Sequence, residues 1–295
     1  MTGHIVVVGA PPGHVVLRRA LRHRSFAVGV GALCVILLLA LLAPLISPYD
    51  PYATDLSRRL LPPFWHDDSV PGHILGTDKV GRDYLSRIIH GARVSLAIGV
   101  VTVLISGVIG TVLGVLAGYF GGRVDAVVTY LITTRLSLPL FLVALAVVAM
   151  FGSSLTTVIL VLGLFLWDQF AVVTRSVTQQ IRRQDYVRAA RATGASHLRI
   201  LWREVLPNLR EPLLVVATVE MANAIVLEAS LSFLGFGVQA PLPSWGLMLA
   251  DAREFMFFSP WLLAIPGFAL FVLLLSINLV GDGLRDVAGR GGTPA

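Results

Sequence analysis

The chain has 295 residues, of which 56% are hydrophobic and 14% charged, with a mean hydropathy of +0.80. A soluble domain carries about 25% charged residues, so this composition excludes a water-soluble globule and makes a bilayer the solvent. The net charge of +6 does not call for nucleic acid, because cytoplasmic loops of membrane proteins collect Lys and Arg, and the single cysteine, Cys34, excludes an intrachain disulfide.

A spanning helix needs about 20 apolar residues. Six stretches meet this, near residues 26–46, 94–118, 127–151, 155–173, 212–236 and 261–280, the third interrupted by Arg135 and Pro139. Arg18, Arg19, Arg22 and Arg24 precede the first stretch and predict a cytoplasmic N-terminal tail over 1–25. Arg18-Arg19 is reminiscent of a twin-arginine signal, but a signal h-region has about 7–15 residues, so 26–46 reads as a retained first span. Six spans return the C-terminus, with a tail over 282–295, to the cytoplasm.

The interval 47–93 is polar and carries Pro48, Pro51, Pro62, Pro63 and Pro71, which forbid one continuous helix. It reads as an extracellular segment. Asp83 is a natural cap for a short interfacial helix through Tyr84, Leu85, Ile88 and Ile89. Asp78 and Asp83 with His73 invite a metal reading, but their spacing fits no metal loop, which leaves capping and turn roles. Residues 94–281 form the core, with five spans and a cytoplasmic loop over 176–210. Gly110, Gly114 and Gly118 share one face of the second span, suited either to a subunit interface or to close packing within the chain.

Charges at membrane depth are costly and face a bundle interior or a watery path. Asp168, Glu220 and Glu228 are such charges, so each is a candidate for a translocation path or a structural pair. Arg135 lies early enough in its span to reach back to the cytoplasmic interface. Trp245, Phe255, Phe257, Phe258 and Trp261 suit an aromatic girdle at the outer interface.

Between the fourth and fifth spans, Asp185 can cap a helix that starts at Tyr186 and runs through Arg188, Ala189, Ala190 and Arg191. Gly194 can end it, Ser196 can cap a second helix over 197–206, and Pro207 can stop that one. Small alanines allow a partner's groove to approach, and arginines can pair with that partner's acids. Contact with anionic lipid is the other use of such a helix.

The run Tyr186-Val187-Arg188-Ala189-Ala190-Arg191-Ala192-Thr193-Gly194-Ala195-Ser196, with Val205-Leu206-Pro207-Asn208 after it, resembles the coupling loop of ABC importer permeases. Arg188 stands where that family usually has glutamate. Three more stretches resemble the C-type subunit of the dipeptide, oligopeptide and nickel branch. They are Gly76-Thr77-Asp78-Lys79-Val80-Gly81-Arg82-Asp83, then Glu228 through Gly237 with Ser244-Trp245-Gly246, then Asn278 through Asp286.

The resemblance implies an all-α integral membrane protein with six transmembrane helices in the type I ABC importer permease fold. Tyr186, Arg188, Ala189, Ala190, Gly194, Ala195 and Pro207 would couple to an ATPase. Gly76, Thr77, Asp78, Gly81, Arg82, Asp83 and Trp245 would face a binding protein. The implied partners are a second, B-type permease, two ATPase subunits carrying ATP and Mg, and an extracytoplasmic substrate-binding protein. The cargo would be di- or oligopeptides, with nickel or another small solute as the alternative.

The chain has no G-x-x-x-x-G-K-[ST], H-E-x-x-H or G-x-S-x-G. No catalytic residue and no metal site is assigned, and energy must come from a partner or a gradient. A gradient-driven secondary transporter predicts internal repeats and broken midplane helices.

Overall fold

A computed structural model describes residues 24–289, and all its regular structure is helical. The expectations placed on Arg18, Arg19, Arg22 and the end of the C-terminal tail lie outside the described residues. Helix α1 covers Arg24–Leu41. It stops five residues short of the expected 46, because Pro44 has no amide hydrogen and its ring would strike the Ala40 carbonyl. A separate turn, Ala43–Ile46, takes over with Pro44 in its first positions.

Helix α2 covers Tyr84–Phe120 and is one continuous 37-residue helix. The expected interfacial helix and second span are therefore a single element. Asp83 starts it by accepting from the Ser86 amide at 2.8 Å, and Gly121, at φ +69°, ends it. Helices α3 (Gly122–Leu136) and α4 (Leu140–Phe151) are bent 81° apart at Ser137-Leu138-Pro139, where Pro139 breaks the hydrogen-bond ladder.

Helices α5 (Leu155–Phe165) and α6 (Asp168–Arg182) run on as one span, Leu155–Arg182. After α7 (Asp185–Ala192), helix α8 (His197–Ile200) leads without a break into α9 (Arg210–Phe233). Pro207 does not stop this run. A π turn over Leu201–Val205 and a 3₁₀ turn over Leu206–Leu209 absorb its missing donor. Leu206 donates to the Leu201 carbonyl five residues back, and the Asn208 side chain covers the Glu204 carbonyl at 2.6 Å. Helices α10 (Trp245–Ala252) and α11 (Trp261–Gly289) complete the chain.

Four helices among the described residues are long and apolar enough to cross a bilayer, and the bent α3–α4 pair adds a fifth only if it counts as one broken span rather than a re-entrant loop. The apolar part of α1, Ser25–Leu41, is shorter. The glycine stripe of α2 faces α6. A Cβ on Gly110 would overlap the Trp167 carbonyl, one on Gly114 the Ala171 carbonyl and Thr174, and one on Gly118 the Arg175 carbonyl. The stripe therefore serves packing within the chain.

Contacts between helix ends divide the molecule into two polar faces. Phe26 of α1 lies against Gly283 of α11, and Thr218 of α9 lies against Gly281. Tyr119, at the end of α2, meets His197 at 2.9 Å. The start of α1, the end of α2, the α7–α8 loop and the end of α11 thus share one face. At the opposite face Lys79 pairs with Asp251 at 2.7 Å, and Trp245 donates to the Ile88 carbonyl at 2.9 Å. Pro266, inside α11, leaves the Leu262 carbonyl without its helical partner. The Tyr84 hydroxyl donates to that carbonyl, which ties α2 to α11.

Candidate functional site

The α7–α8 loop is built from its turn outward. Gly194 has φ +82°, a conformation that costs an L side chain strain. Ala195 donates to the Ala190 carbonyl and Gly194 to the Arg191 carbonyl, both at 3.0 Å. This pair of bonds is a Schellman ending. Ser196 then caps α8 through the Arg199 amide at 3.3 Å. The cap of α7 is Gln184, without a side-chain bond, and Asp185 is the first helical residue. Asp185 therefore acts on the helix dipole and not as the expected cap.

Val187 is fully buried with Tyr119, Ile181, Ile200, Val205 and Leu209, and Ala190 and Ala195 pack against the same cluster. On a wheel of about 100° per residue, Ala189 lies opposite Val187, with Asp185 and Ala192 together on one side of it. Ala189 and Ala192 are exposed, so a face of small side chains points away from the molecule. Tyr186 is exposed, and partial desolvation, then the nearby Glu204, holds its phenol above the usual range. Leu198 and Trp202 are exposed as well. Pro207 is exposed behind the loop, within the 3₁₀ turn.

Arg188 and Arg191 turn to one flank. Arg188 makes only a loose 3.8 Å pair with exposed Asp185, and the Arg191 guanidinium stacks 4.9 Å from the centre of the Tyr119 ring. Both line a cavity of about 420 Å³ with Gly118, Gly121, Gln179, Arg182 and Arg183.

The charges at membrane depth fall into two groups. Asp168 is buried and pairs with Arg135 at 3.2 Å, and Arg135 also donates to the Phe165 carbonyl at 2.6 Å. Arg135 therefore turns inward, because the pairing outweighs a reach to the interface. Glu220 is within electrostatic range of both, and its nearest donor is Asn223 at 3.4 Å. One carboxylate oxygen each of Asp168 and Glu220 is buried without a hydrogen bond. Glu228 stands apart from this cluster. It accepts from Ser232 at 2.7 Å and from Ser244 at 3.1 Å. Ser244 is also the cap of α10, so Glu228 anchors the outer loop to α9.

The residues 76–83 form a clasp. Asp78 accepts from the amides of Val80 and Arg82 and from the Arg82 guanidinium, and Arg87 lies 3.4 Å away. Asp83 holds His73 at 2.9 Å while capping α2. Thr77 accepts from the Leu61 amide and donates to the Arg58 carbonyl. A side chain on Gly76 or Gly81 would strike the Leu61 or Asp55 carbonyl. Trp245 is buried against Gly91 and takes no part in a girdle. Phe255 and Trp261 pack on the core, which leaves Phe257 and Phe258 fully presented.

Arg135, Arg182, Arg183 and Gln179 escaped the candidate set. A cation inside the third apolar stretch, with one acid, Asp168, in the next, was the available signal for Arg135. The cavity residues come from three separate elements and carry no shared local pattern.

The family model for the binding-protein-dependent transport system inner membrane component matches residues 110–291. That for the N-terminal transmembrane domain of oligopeptide transport permease C matches 12–63. The chain is 39% identical over 265 residues to the dipeptide transport system permease protein DppC of Haemophilus influenzae, covering 90% of each chain. It is 41% identical over 269 residues to the di/tripeptide permease DppC of Pseudomonas aeruginosa, covering 89% of each. A chain of the inward-facing MetNI methionine ABC transporter superposes with a TM-score of 0.56 at 18% identity, over 70% of this chain and 96% of that one. At that identity the likeness concerns the fold.

Proposed function

This chain belongs to the binding-protein-dependent transport system inner membrane components, and we propose that it is the C-type permease subunit of an ATP-driven importer of di- or oligopeptides. The family makes it a multi-pass inner-membrane transport subunit, which sets aside a gradient-driven carrier. The peptide cargo is carried by one observation: relatives at 39–41% identity over nine-tenths of the chain are dipeptide and di/tripeptide permeases.

The loop face then has a mechanical role. Val187 and its neighbours fix α7 to the ends of α2 and α6, so α7 cannot move without them. Its outward alanines admit the groove of an ATPase subunit, which brings the ATP and Mg. ATP drives the cycle only by binding one conformation more tightly than another. The loop face is cytoplasmic, and residues 47–83 with α10 form the external face, where a substrate-binding protein delivers cargo. An apolar groove of about 580 Å³ between α2 and α9, lined by Val103, Leu104, Val108, Leu213 and Leu214, supports a second permease as the partner within the bilayer. Glu220, close to the Arg135–Asp168 pair, belongs to the path, and Glu228, held by Ser232 and Ser244, is an anchor.

The test is uptake of a labelled dipeptide into proteoliposomes that hold the full complex. ATP-dependent, vanadate-sensitive uptake is expected. Uptake driven by an ion gradient without ATP contradicts the importer, and ATP-driven uptake of nickel but no peptide contradicts the cargo. In the same assay Glu220→Gln alters uptake kinetics without loss of assembly.

A further inference from the structure

The cavity beside α7 holds four arginines, Arg182, Arg183, Arg188 and Arg191, and no acid among its described lining residues. It opens where α2 and α6 end, at the boundary between the apolar spans and the loop face. Helix C-termini carry about half a negative charge each, so the two ends offset roughly one of the four positive charges. The exposed Asp185–Arg188 contact is loose and offsets little more. Four like charges from two helices are held around an open space of about 420 Å³, larger than a water site and suited to a small headgroup. Arg182 lies over Gly121, where any side chain would crowd its guanidinium.

We propose that this cavity binds the phosphate of an anionic phospholipid from the leaflet on the loop face. Basic pockets between helices at the cytoplasmic boundary are suited to such headgroups, and guanidinium forks match phosphate oxygens in pairs. The bound phosphate bridges Arg182 and Arg183 at the end of α6 to Arg188 and Arg191 on α7. It removes their mutual repulsion and stiffens the joint through which α7 moves the spans. Assignment to the cytoplasmic leaflet rests on the orientation proposed above.

The test uses the purified complex of this chain with its permease and ATPase partners, stripped of lipid in neutral detergent. It is titrated with phosphatidylglycerol or phosphatidylcholine, and retained lipid is counted by native mass spectrometry. Phosphatidylglycerol is retained in preference to phosphatidylcholine. Each arginine near the surface contributes about a fivefold preference, so Arg182→Gln with Arg183→Gln lowers phosphatidylglycerol affinity roughly thirtyfold. The corresponding double lysine variant keeps most of it. Equal retention of both lipids by the unmodified complex overturns the proposal. So does displacement of phosphatidylglycerol by millimolar inorganic phosphate, which marks a site for a soluble phosphate. Loss of ATPase subunits from the glutamine variant at unchanged lipid affinity also overturns it, since the arginines then hold a protein. Lipid retention is read without transport, so a failure here is separable from a failure of the importer assignment.

Discussion

Gly194 offers a clean perturbation because no atom lies within 4 Å of where its Cβ would stand. A substitution there meets no clash, and its whole effect comes from φ +82°. An L residue in this conformation costs about 1–2 kcal/mol, with asparagine tolerated best and β-branched residues worst. Relief of that strain requires α7 to give up its ending, with loss of the Ala195-to-Ala190 bond and of the geometry that seats His197 against Tyr119. At about 1.4 kcal/mol per tenfold change, Gly194→Ala reduces the population of the ordered loop by roughly five- to thirtyfold relative to its alternatives. The predicted order of coupled uptake is Gly, then Asn, then Ala, then Val. The assay is uptake per ATP hydrolysed in the assembled complex, with hydrogen exchange of the Ala195 amide as the structural readout. A valine variant with normal uptake and normal Ala195 protection refutes the reasoning.

The α2 glycines supply an internal control. Gly107→Ala meets Phe170 only at an ordinary 3.5 Å and leaves thermal stability unchanged, whereas Gly110→Ala and Gly114→Ala drive a methyl into α6 backbone and cost about 1–3 kcal/mol. Arg135→Met strands the buried Asp168 carboxylate and costs about 3–5 kcal/mol, while Arg135→Met with Asp168→Leu recovers most of that in a denaturation titration. Tyr84→Phe leaves the Leu262 carbonyl unpaired and costs about 1–3 kcal/mol. In the Pro266→Ala background the restored amide can serve that carbonyl, so the same change costs less, as a double-mutant cycle in thermal melts will show.

Local chemistry made much of the fold legible. The caps Asp83 and Ser196 and the stop at Gly194 stand where side-chain type placed them. The apolar stretches after residue 84 also lie where length and hydropathy placed them. What escaped depended on contacts distant in sequence. Arg87 looks like an interfacial charge until Asp78 and Pro51 are folded against it, and then α2 runs through without a boundary. Trp245 reads as a girdle residue until Gly91 opens a place for it. Arg135 finds Asp168 only once α3 lies beside α6. Pro207 reads as a stop because sequence shows the missing donor but not the π turn that accommodates it. The turn and second cap of the loop were legible, while the arginine cavity on its flank required three elements to be placed together.

Disulfide crosslinking tests the central claim most directly. In a Cys34→Ser background, a cysteine at outward-facing Ala189 and one at buried Val187 are each paired with cysteines introduced along the groove of the partner ATPase. Ala189→Cys is predicted to crosslink to the ATPase, with a yield that changes when ATP is added, and Val187→Cys is predicted to stay unlinked. Absence of any Ala189 crosslink in a complex that hydrolyses ATP and imports peptide would contradict the account.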